Sequence, residues 1–281
     1  MNALNLSAEL AAHIDTEITD SVLIIKMTQP NRLNGWTMPM MEAFKKALSL
    51  ANSLDDIKAI VFTGEGRYYS AGVNLSSAIQ LMHPKKLHGL IVEHNQSLFE
   101  AFLNVRKPIL AAINGPAIGA SVTSATLCNG VIAAKEATFS TPFAALGVTP
   151  EGCSSIHFPR LMGEENAQRM LGSEGWKPTA EEALAIGIVQ HVVPQEELLP
   201  KAIEIAKGWI NSNQERAFLA GSTLPELIKA NIEESEALAT AFLSRKFLMN
   251  QAKFLWSKKK RGIAVMFFVL ATTQPIWARM K

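Results

Sequence analysis

One acidic residue stands in an otherwise uncharged stretch of this sequence. Glu151 follows Pro150, precedes a Gly-Cys-Ser-Ser segment, and has no Lys or Arg within eight positions on either side. A carboxyl group among apolar and small side chains is disfavoured as an ion, so its pKa rises towards the range useful for proton transfer. Alternatively, Glu151 only stabilises the dipole of a helix that starts there, by about 0.3–1 kcal/mol. The local sequence favours neither interpretation over the other.

Two short segments could supply main-chain donors for such proton transfer. Residues 115–120 (GPAIGA) carry a strand into a helix, and residues 70–73 (SAGV) form a second turn of small residues. Free amides at a helix start favour negative charge, and small residues let a ligand approach the backbone. Two such amides can hold an oxyanion, and loss of one donor costs roughly 10²–10³ in rate. Taken singly, each segment could equally be a tight packing turn.

Other kinds of site find less support. His157 lacks a nucleophile-elbow motif and a nearby acid, so a hydrolytic triad is not indicated. Cys153 near a helix start could be a nucleophile, but a small buried thiol is usually inert. GPAIGAS lacks the Lys-Ser/Thr of a phosphate loop and the glycine spacing of a dinucleotide site. We expect no metal site, because three further histidines lack Cys or carboxylate partners: His83, His88 and His94.

The overall composition is that of a soluble globular enzyme. The 281 residues are 48% apolar and 19% charged, with a net charge of +2, so nucleic acid and membrane are not expected partners. Two cysteines make no disulfide framework and favour a reducing compartment. The N-terminal residues have no signal-peptide pattern. The apolar run Ile263 to Ala271 is about half the ~20 residues that a membrane span needs, so we expect a packed or an ill-fitting tail rather than membrane contact.

Strands interleave with helices in the first two thirds of the chain, and the last third is almost entirely helical. This order predicts an α/β core with a helical C-terminal extension. Apolar and β-branched runs predict strands over 22–27, 58–63, 109–114, 131–134, 137–140 and 187–193. Helical periodicity predicts helices over 38–50, 84–106, 120–129, 151–162, 165–171, 180–186, 198–210 and 224–256.

The chain resembles the crotonase, or enoyl-CoA hydratase/isomerase, superfamily. The matching segments run in the family's order over about residues 20–260: TQPNRLNGW, GEGRYYSAGVNL, the stretch from Ile109 to Ser155, and AIGIVQHVVP. The resemblance implies a ClpP/crotonase-like spiral of ββα units and acyl-CoA thioester substrates. Coenzyme A is then part of the substrate and no separate cofactor is expected. It also implies homotrimers or hexamers, with a core over 1–200, a helical trimerisation region over 201–260 and an atypical tail over 261–281.

The resemblance also assigns roles to single residues. The amides that hold the thioester oxygen fall on Ala71 and Ala120, and the acid falls on Glu151. Residues implied to contact the substrate are Ser70, Gly72, Asn74, Leu75, Ile79, Gly119, Phe143 and Leu146. Residues implied to contact the CoA moiety are Arg32, Asn34 and Lys258.

Two departures from the family pattern narrow the expected reaction. Family hydratases activate water with two glutamates, and the matching positions here are Thr123 and Phe143, neither of which can act as a base. The segment TPFAALGVTPEGCSS is similar instead to peroxisomal-type Δ3,Δ2-enoyl-CoA isomerases, whose single catalytic glutamate falls on Glu151. The sequence therefore predicts an isomerase of fatty-acid or specialised acyl metabolism. The alternatives are a hydratase or another crotonase reaction, and a non-catalytic acyl-CoA-binding subunit.

The resemblance further implies a peroxisomal location, with the cytoplasm as the alternative. The sequence ends ARMK, which is not the S-K-L tripeptide.

Overall fold

The computed structural model describes residues 3–74 and 82–278. The strands are β1 (Ile14–Thr19), β2 (Val22–Met27), β3 (Ala59–Gly64), β4 (Ile109–Ile113), β5 (Ala117–Ile118), β6 (Gly130–Ala134), β7 (Phe139–Ser140) and β8 (His191–Val193). The helices are α1 (Ala8–Ala11), α2 (Met38–Ser53), α3 (Pro84–Leu103), α4 (Ala120–Thr126), α5 (Phe143–Leu146), α6 (Ser154–Met162), α7 (Glu164–Leu171), α8 (Ala180–Ala185), α9 (Leu198–Asn211), α10 (Leu224–Phe242), α11 (Arg245–Ser257) and α12 (Arg261–Trp277).

The main sheet has the order β1-β2-β3-β4-β6-β8 and is parallel except for the antiparallel β1-β2 pair. Strands β3, β4 and β6 are buried along their whole length, because helices cover both faces of a parallel sheet. On one face, Ala202 and Ala206 of α9 pack in a cluster with Leu110 and Ile132. Helices α2 and α3 pack on the other face around a group of aromatic rings that includes Phe62.

A second, shorter layer runs beside the main sheet. After β4 and β6 the chain enters β5 and β7, which pair in parallel. Isolated bridges extend this layer by joining Ser70 to Ala117 and Trp36 to Val73. Strands β4 and β6 are each followed by a short second-layer strand and then by a helix, and β2 and β3 by isolated bridges and then a helix, which is the predicted ββα unit. This layer carries both small-residue turns that the sequence singled out.

The element boundaries differ from the sequence prediction at specific places. The helix predicted over 151–162 starts at Ser154, because Gly152 and Cys153 have φ values of 66° and 64° and cannot continue a right-handed helix. The strand predicted over 187–193 is reduced to β8. The helices predicted over 224–256 are observed as α10 and α11, which are separated at Leu243 and Ser244.

The C-terminal helices form a second cluster of buried residues. Helix α10 packs along α3, and its first half belongs to the main core. Helices α11 and α12 pack against each other through side chains that include Phe247 and Phe267. In the run Ile263 to Ala271, Ala264, Phe267 and Ala271 are buried in this cluster, whereas Ile263, Val265, Phe268 and Val269 are exposed. Among the described helices, none has the length and apolar character of a membrane span. The division at residues 200 and 260 stays a prediction.

Candidate active site

A largely apolar pocket of about 870 Å³, its open mouth included, lies between the second layer and α10. Three of its lining side chains are polar, namely His94, Asn95 and Glu151. The apolar walls come from α2, the SAGV turn, α3, α5 and α10, and consist of Met38, Met41, Val73, Ile91, Leu98, Ile118, Phe143, Leu146, Val148, Leu238 and Phe242. Such a pocket suits a hydrophobic chain with one reactive polar group.

Glu151 is the only carboxylate among the described residues that line this pocket. The residue is 6% exposed, and within the described part of the chain its side chain accepts no hydrogen bond. Burial, and secondly the nearby charge of Glu234, raise the pKa of Glu151 to about 8. The group can therefore take up and release a proton near neutral pH.

The turn after Glu151 has a conformation that requires glycine at residue 152. A Cβ atom there would lie 2.4 Å from Thr123 Oγ1 and 2.5 Å from Phe99 Cε1, and φ is also positive. Ser154 Oγ donates to the Glu151 carbonyl oxygen at 2.7 Å and closes the turn. These contacts place the Glu151 side chain at the pocket while α6 leads away from it.

A second buried glutamate, which the sequence analysis missed, lies on the other side of this turn. Glu234 of α10 is 6% exposed and accepts hydrogen bonds from the amides of Cys153 at 2.7 Å and Ser155 at 2.8 Å. Burial raises the pKa of the Glu234 carboxyl, and the hydrogen bonds from Ser155 and Cys153 oppose that shift. Sequence analysis could have found Glu234 from helical periodicity, because it lies on the buried face of α10, next to Ser235 and four residues before Leu238.

Two main-chain amides open towards the pocket, and one of them is not the predicted one. Ala120 is the first residue of α4, and its N–H has no acceptor in the described part of the chain. The Ala71 amide donates to the Leu33 carbonyl oxygen at 2.9 Å, which corrects its expected role as a free donor. The amide of Val73, two residues further on, has no acceptor among the described residues.

The pairing of Val73 explains which way its amide faces. In its parallel bridge with Trp36, the Trp36 amide donates to Gly72 O at 2.8 Å and the Asn74 amide donates to Trp36 O at 2.9 Å. A residue centred in such a bridge directs its own N–H away from that partner strand. Val73 also lines the pocket. The free amide of the SAGV turn is therefore that of Val73.

The two turns approach each other at Gly72. A Cβ atom on this residue would lie 2.4 Å from the Ile118 carbonyl oxygen and 3.9 Å from the Ala120 nitrogen, and φ is 76°. Ser70 supports the approach from below, because its hydroxyl donates to Asn34 O at 2.8 Å and accepts from the Gly72 amide at 3.0 Å. Only glycine allows the two turns to come this close.

The remaining predicted residues divide into three groups. Gly72, Gly119, Phe143 and Leu146 line the pocket together with Ala120 and Glu151. Ser70 and Asn34 are buried, and both amide atoms of Asn34 are already bonded to backbone groups, so neither side chain lines the pocket. Arg32, Asn74 and Lys258 are exposed, and their roles stay predictions. Leu75 and Ile79 lie outside the described residues.

The other reactive groups considered from sequence are held in structural contacts. The His157 ring contacts Ser222 Oγ and Thr126 O at 2.9 Å each and is fully buried. Burial raises the pKa of the Cys128 thiol to about 12 and that of Cys153 further still, so both are protonated at neutral pH. Of Glu151, His157, Cys128 and Cys153, only Glu151 lines the pocket, and its role in proton transfer stays a prediction.

Comparison with known proteins agrees with the fold. The sequence profile of the enoyl-CoA hydratase/isomerase family matches residues 17–254. The chain belongs to this family. A crystal structure of an enoyl-CoA hydratase/isomerase from Pseudoalteromonas atlantica T6c superposes with a TM-score of 0.75 at 25% identity, over 87% of this chain and 97% of that one. The predicted crotonase fold is thereby confirmed.

Some similar proteins are named isomerases and others are named hydratases. The chain is 35% identical over 253 residues to enoyl-CoA delta isomerase 2 of Rattus norvegicus, which covers 84% of this chain and 61% of the rat protein. It is 31% identical to enoyl-CoA delta isomerase 3, peroxisomal, of Mus musculus, over 86% of this chain and 77% of the mouse protein. It is also 32% identical to enoyl-CoA hydratase AFT3-1 of Alternaria alternata, over 88% of this chain and 85% of the fungal protein. The chain thus spans about three fifths of the rat relative's length.

Proposed function

We propose that this protein is a Δ3,Δ2-enoyl-CoA isomerase, which shifts the double bond of a 3-enoyl-CoA to give the 2-trans-enoyl-CoA. The observation that carries the proposal is a single buried carboxylate, Glu151, in an otherwise apolar pocket. Two relatives named delta isomerases support it. One carboxylate is sufficient, because the reaction moves one proton within one substrate and adds no water.

The roles follow from the chemistry of the thioester. The amides of Val73 and Ala120 donate to the thioester oxygen and stabilise the negative charge that develops there. The Glu151 carboxylate removes a proton from C2, which gives a dienolate, and returns the proton to C4. Proton transfer by a positioned group of this kind contributes typically ~10²–10⁴-fold in rate. The apolar walls hold the acyl chain and exclude water.

A hydratase is the second candidate, because a fungal relative of similar identity is named an enoyl-CoA hydratase. Water activation in the family pattern uses two glutamates, at the positions of Thr123 and Phe143. Here Thr123 is fully buried, and its Oγ1 lies only 2.4 Å from where a Cβ atom of residue 152 would be. A glutamate at position 123 would meet the turn that carries Glu151. This packing favours the isomerase.

The test is turnover of 3-enoyl-CoA by the purified protein, followed through the absorbance of the conjugated 2-trans product. We expect Glu151→Gln to lower kcat by ~10²–10⁴-fold with little change in the binding of 2-enoyl-CoA. The control is Glu233→Gln, which removes an exposed carboxylate of α10 and leaves activity unchanged. A Glu151→Gln enzyme as active as its parent contradicts the assigned roles.

Two further assays separate the alternatives. Addition of water to 2-enoyl-CoA at a rate similar to isomerisation identifies a hydratase. Binding of acyl-CoA without turnover of any enoyl-CoA identifies a non-catalytic subunit.

We also propose a peroxisomal location, with the cytoplasm as the alternative. Support comes from the mouse relative whose name includes that organelle. Imaging of the protein tagged at its N-terminus, beside a peroxisomal marker, tests this location. Diffuse fluorescence identifies the cytoplasm.

A further inference from the structure

The buried carboxylate of Glu234 lies in a different element from the turn it binds. It belongs to α10, whereas its two donors, the amides of Cys153 and Ser155, lie about 80 residues earlier at the start of α6. Distances of 2.7 and 2.8 Å are those of charge-assisted hydrogen bonds. The start of α6 also favours negative charge through its dipole. Glu234 therefore caps α6, and these contacts stabilise its charged form.

The two buried glutamates have opposite surroundings. Glu234 accepts two amide hydrogen bonds, which favour its charged form. Glu151 accepts none from the described residues, and its neighbour's charge disfavours a second charge beside it. These surroundings favour the proton on Glu151 and the negative charge on Glu234, although burial raises the pKa of both carboxyls.

Other titratable groups near Glu151 determine whether the effect of Glu234 can be measured separately. Glu234 of α10 is the group whose charge acts on Glu151, and His94 of α3 lines the same pocket. Cys153 follows Glu151 in the turn, but its thiol donates to Leu227 O and does not line the pocket. Helices α2, α4 and α5 contribute no titratable side chain to the pocket, and residues 75–81 contain none by sequence. In the described part of the chain, no Lys or Arg lines the pocket or forms an ion pair with Glu234.

We propose that Glu234 is a positioning residue for the isomerase reaction: it holds the left-handed turn that presents Glu151, and its charge makes Glu151 a stronger base. The proposal rests on the proposed function for its catalytic meaning. The geometric part stands on the two hydrogen bonds across the turn. The electrostatic part stands on the proximity of two buried carboxyl groups without a cation between them.

Two substitutions separate charge from geometry. Glu234→Gln keeps the length of the side chain and one hydrogen bond but removes the charge. We expect the rise of kcat/KM with pH to move to lower pH, because Glu151 then loses its proton more readily. Glu234→Asp keeps the charge but cannot reach both amides. We expect its pH profile to stay close to that of the parent.

In both variants we expect kcat to fall roughly 10–100-fold with little change in KM, because the turn is less firmly held. Glu233→Gln, which removes an exposed charge from the same helix, is the matched control and leaves both parameters unchanged. Circular dichroism and thermal unfolding confirm that each variant is folded. A Glu234→Gln enzyme with the pH profile and kcat of its parent overturns the proposal.

A measurement that needs no turnover separates this proposal from the isomerase assignment. The carboxyl band of Glu151, taken as the infrared difference between the parent and Glu151→Gln, is titrated with and without the Glu234→Gln change. We expect the midpoint to move to lower pH when Glu234 is replaced. An unchanged midpoint refutes the coupling even in an active isomerase. A shifted midpoint in an enzyme without isomerase activity supports the coupling and refutes the proposed reaction.

Discussion

Glu151 in its turn and Glu234 in α10 show how two nearby glutamates acquire different chemistry from their surroundings. Glu151 has no hydrogen-bond donor in the described part of the chain and faces an apolar pocket, whereas Glu234 accepts two amides. Burial alone affects both in the same direction. Hydrogen bonding therefore distinguishes them, because the two amides oppose the rise in the pKa of Glu234 and no described group does so for Glu151.

The pKa of Glu151 predicts the pH dependence of activity. The base is the carboxylate, which forms only as the pH passes about 8 in the free enzyme. We expect kcat/KM for 3-enoyl-CoA to rise about tenfold per pH unit below that value and to level off above it. A steady-state profile from pH 6 to 9.5 measures the midpoint. A profile that is flat above pH 6 contradicts a raised pKa.

The same shift predicts a change in stability with pH. The unfolded carboxyl loses its proton near 4.5 and the folded one near 8, so the folded state binds more protons between these values. Ionisation of Glu151 therefore destabilises the fold as pH rises, by up to about 1.4 kcal/mol per pH unit. We expect Glu151→Gln to exceed its parent in free energy of unfolding by a margin that grows across this window. Urea unfolding at several pH values measures it, and a constant margin contradicts it.

Substitution of Gly152 tests the geometry of the turn. Gly152→Ala places a methyl group within 2.5 Å of Thr123 and Phe99 at a positive φ, and we expect a cost of ~3 kcal/mol or more together with loss of activity. The control is Gly175→Ala, which has a similar φ of 61° but open space around the new methyl group. We expect about 1 kcal/mol there. Equal unfolding free energies for the two variants contradict the packing argument.

Part of the site was predictable from sequence and part was not. The unpaired acid Glu151 and the helix start at Ala120 are local features, so the sequence pattern predicts them. Val73 was missed because the choice between it and Ala71 depends on pairing with Leu33 and Trp36, which are remote in sequence. Glu234 was missed because its donors are about 80 residues away.

At the scale of elements, the buried strands were the most predictable. Residues 22–27 form β2 as predicted, because a run of β-branched residues buried on both faces has few alternatives. The edge strand β1 was missed, since half of its residues are exposed and four of the six are polar. Helix α12 was not predicted because its apolar residues occur on more than one face, and only packing on α11 decides which are buried.

The packing of α12 predicts different stability costs for substitutions at two neighbouring phenylalanines. Phe267 is 1% exposed in the second cluster, whereas its neighbour Phe268 is 51% exposed. We expect Phe267→Ala to lower the free energy of unfolding by about 3–5 kcal/mol. Phe268→Ala, which removes the same atoms from the adjacent position, is expected to cost much less. Similar costs for the two variants mean that α12 does not pack on α11 as described.

At the scale of the whole molecule, the assembly stays a prediction. The family resemblance implies homotrimers or hexamers, and the helices over 201–260 are expected to provide the contacts between subunits. Sedimentation equilibrium of the purified protein, at 30.6 kDa per chain, distinguishes these states from a monomer. A monomer at micromolar concentration contradicts the prediction.

The two cysteines can report local unfolding in two different parts of the protein, the Glu151 turn and the main core. Cys153 belongs to the turn that follows Glu151, and its sulfur donates to Leu227 O at 3.2 Å. Cys128 is buried in the main core. A thiol reagent added to the native protein can modify either one only after the surrounding structure has opened. The labelling rate of Cys153 therefore reports how often the turn separates from α10, and that of Cys128 reports disruption of the core. Mass spectrometry of the two peptides records both rates in one sample.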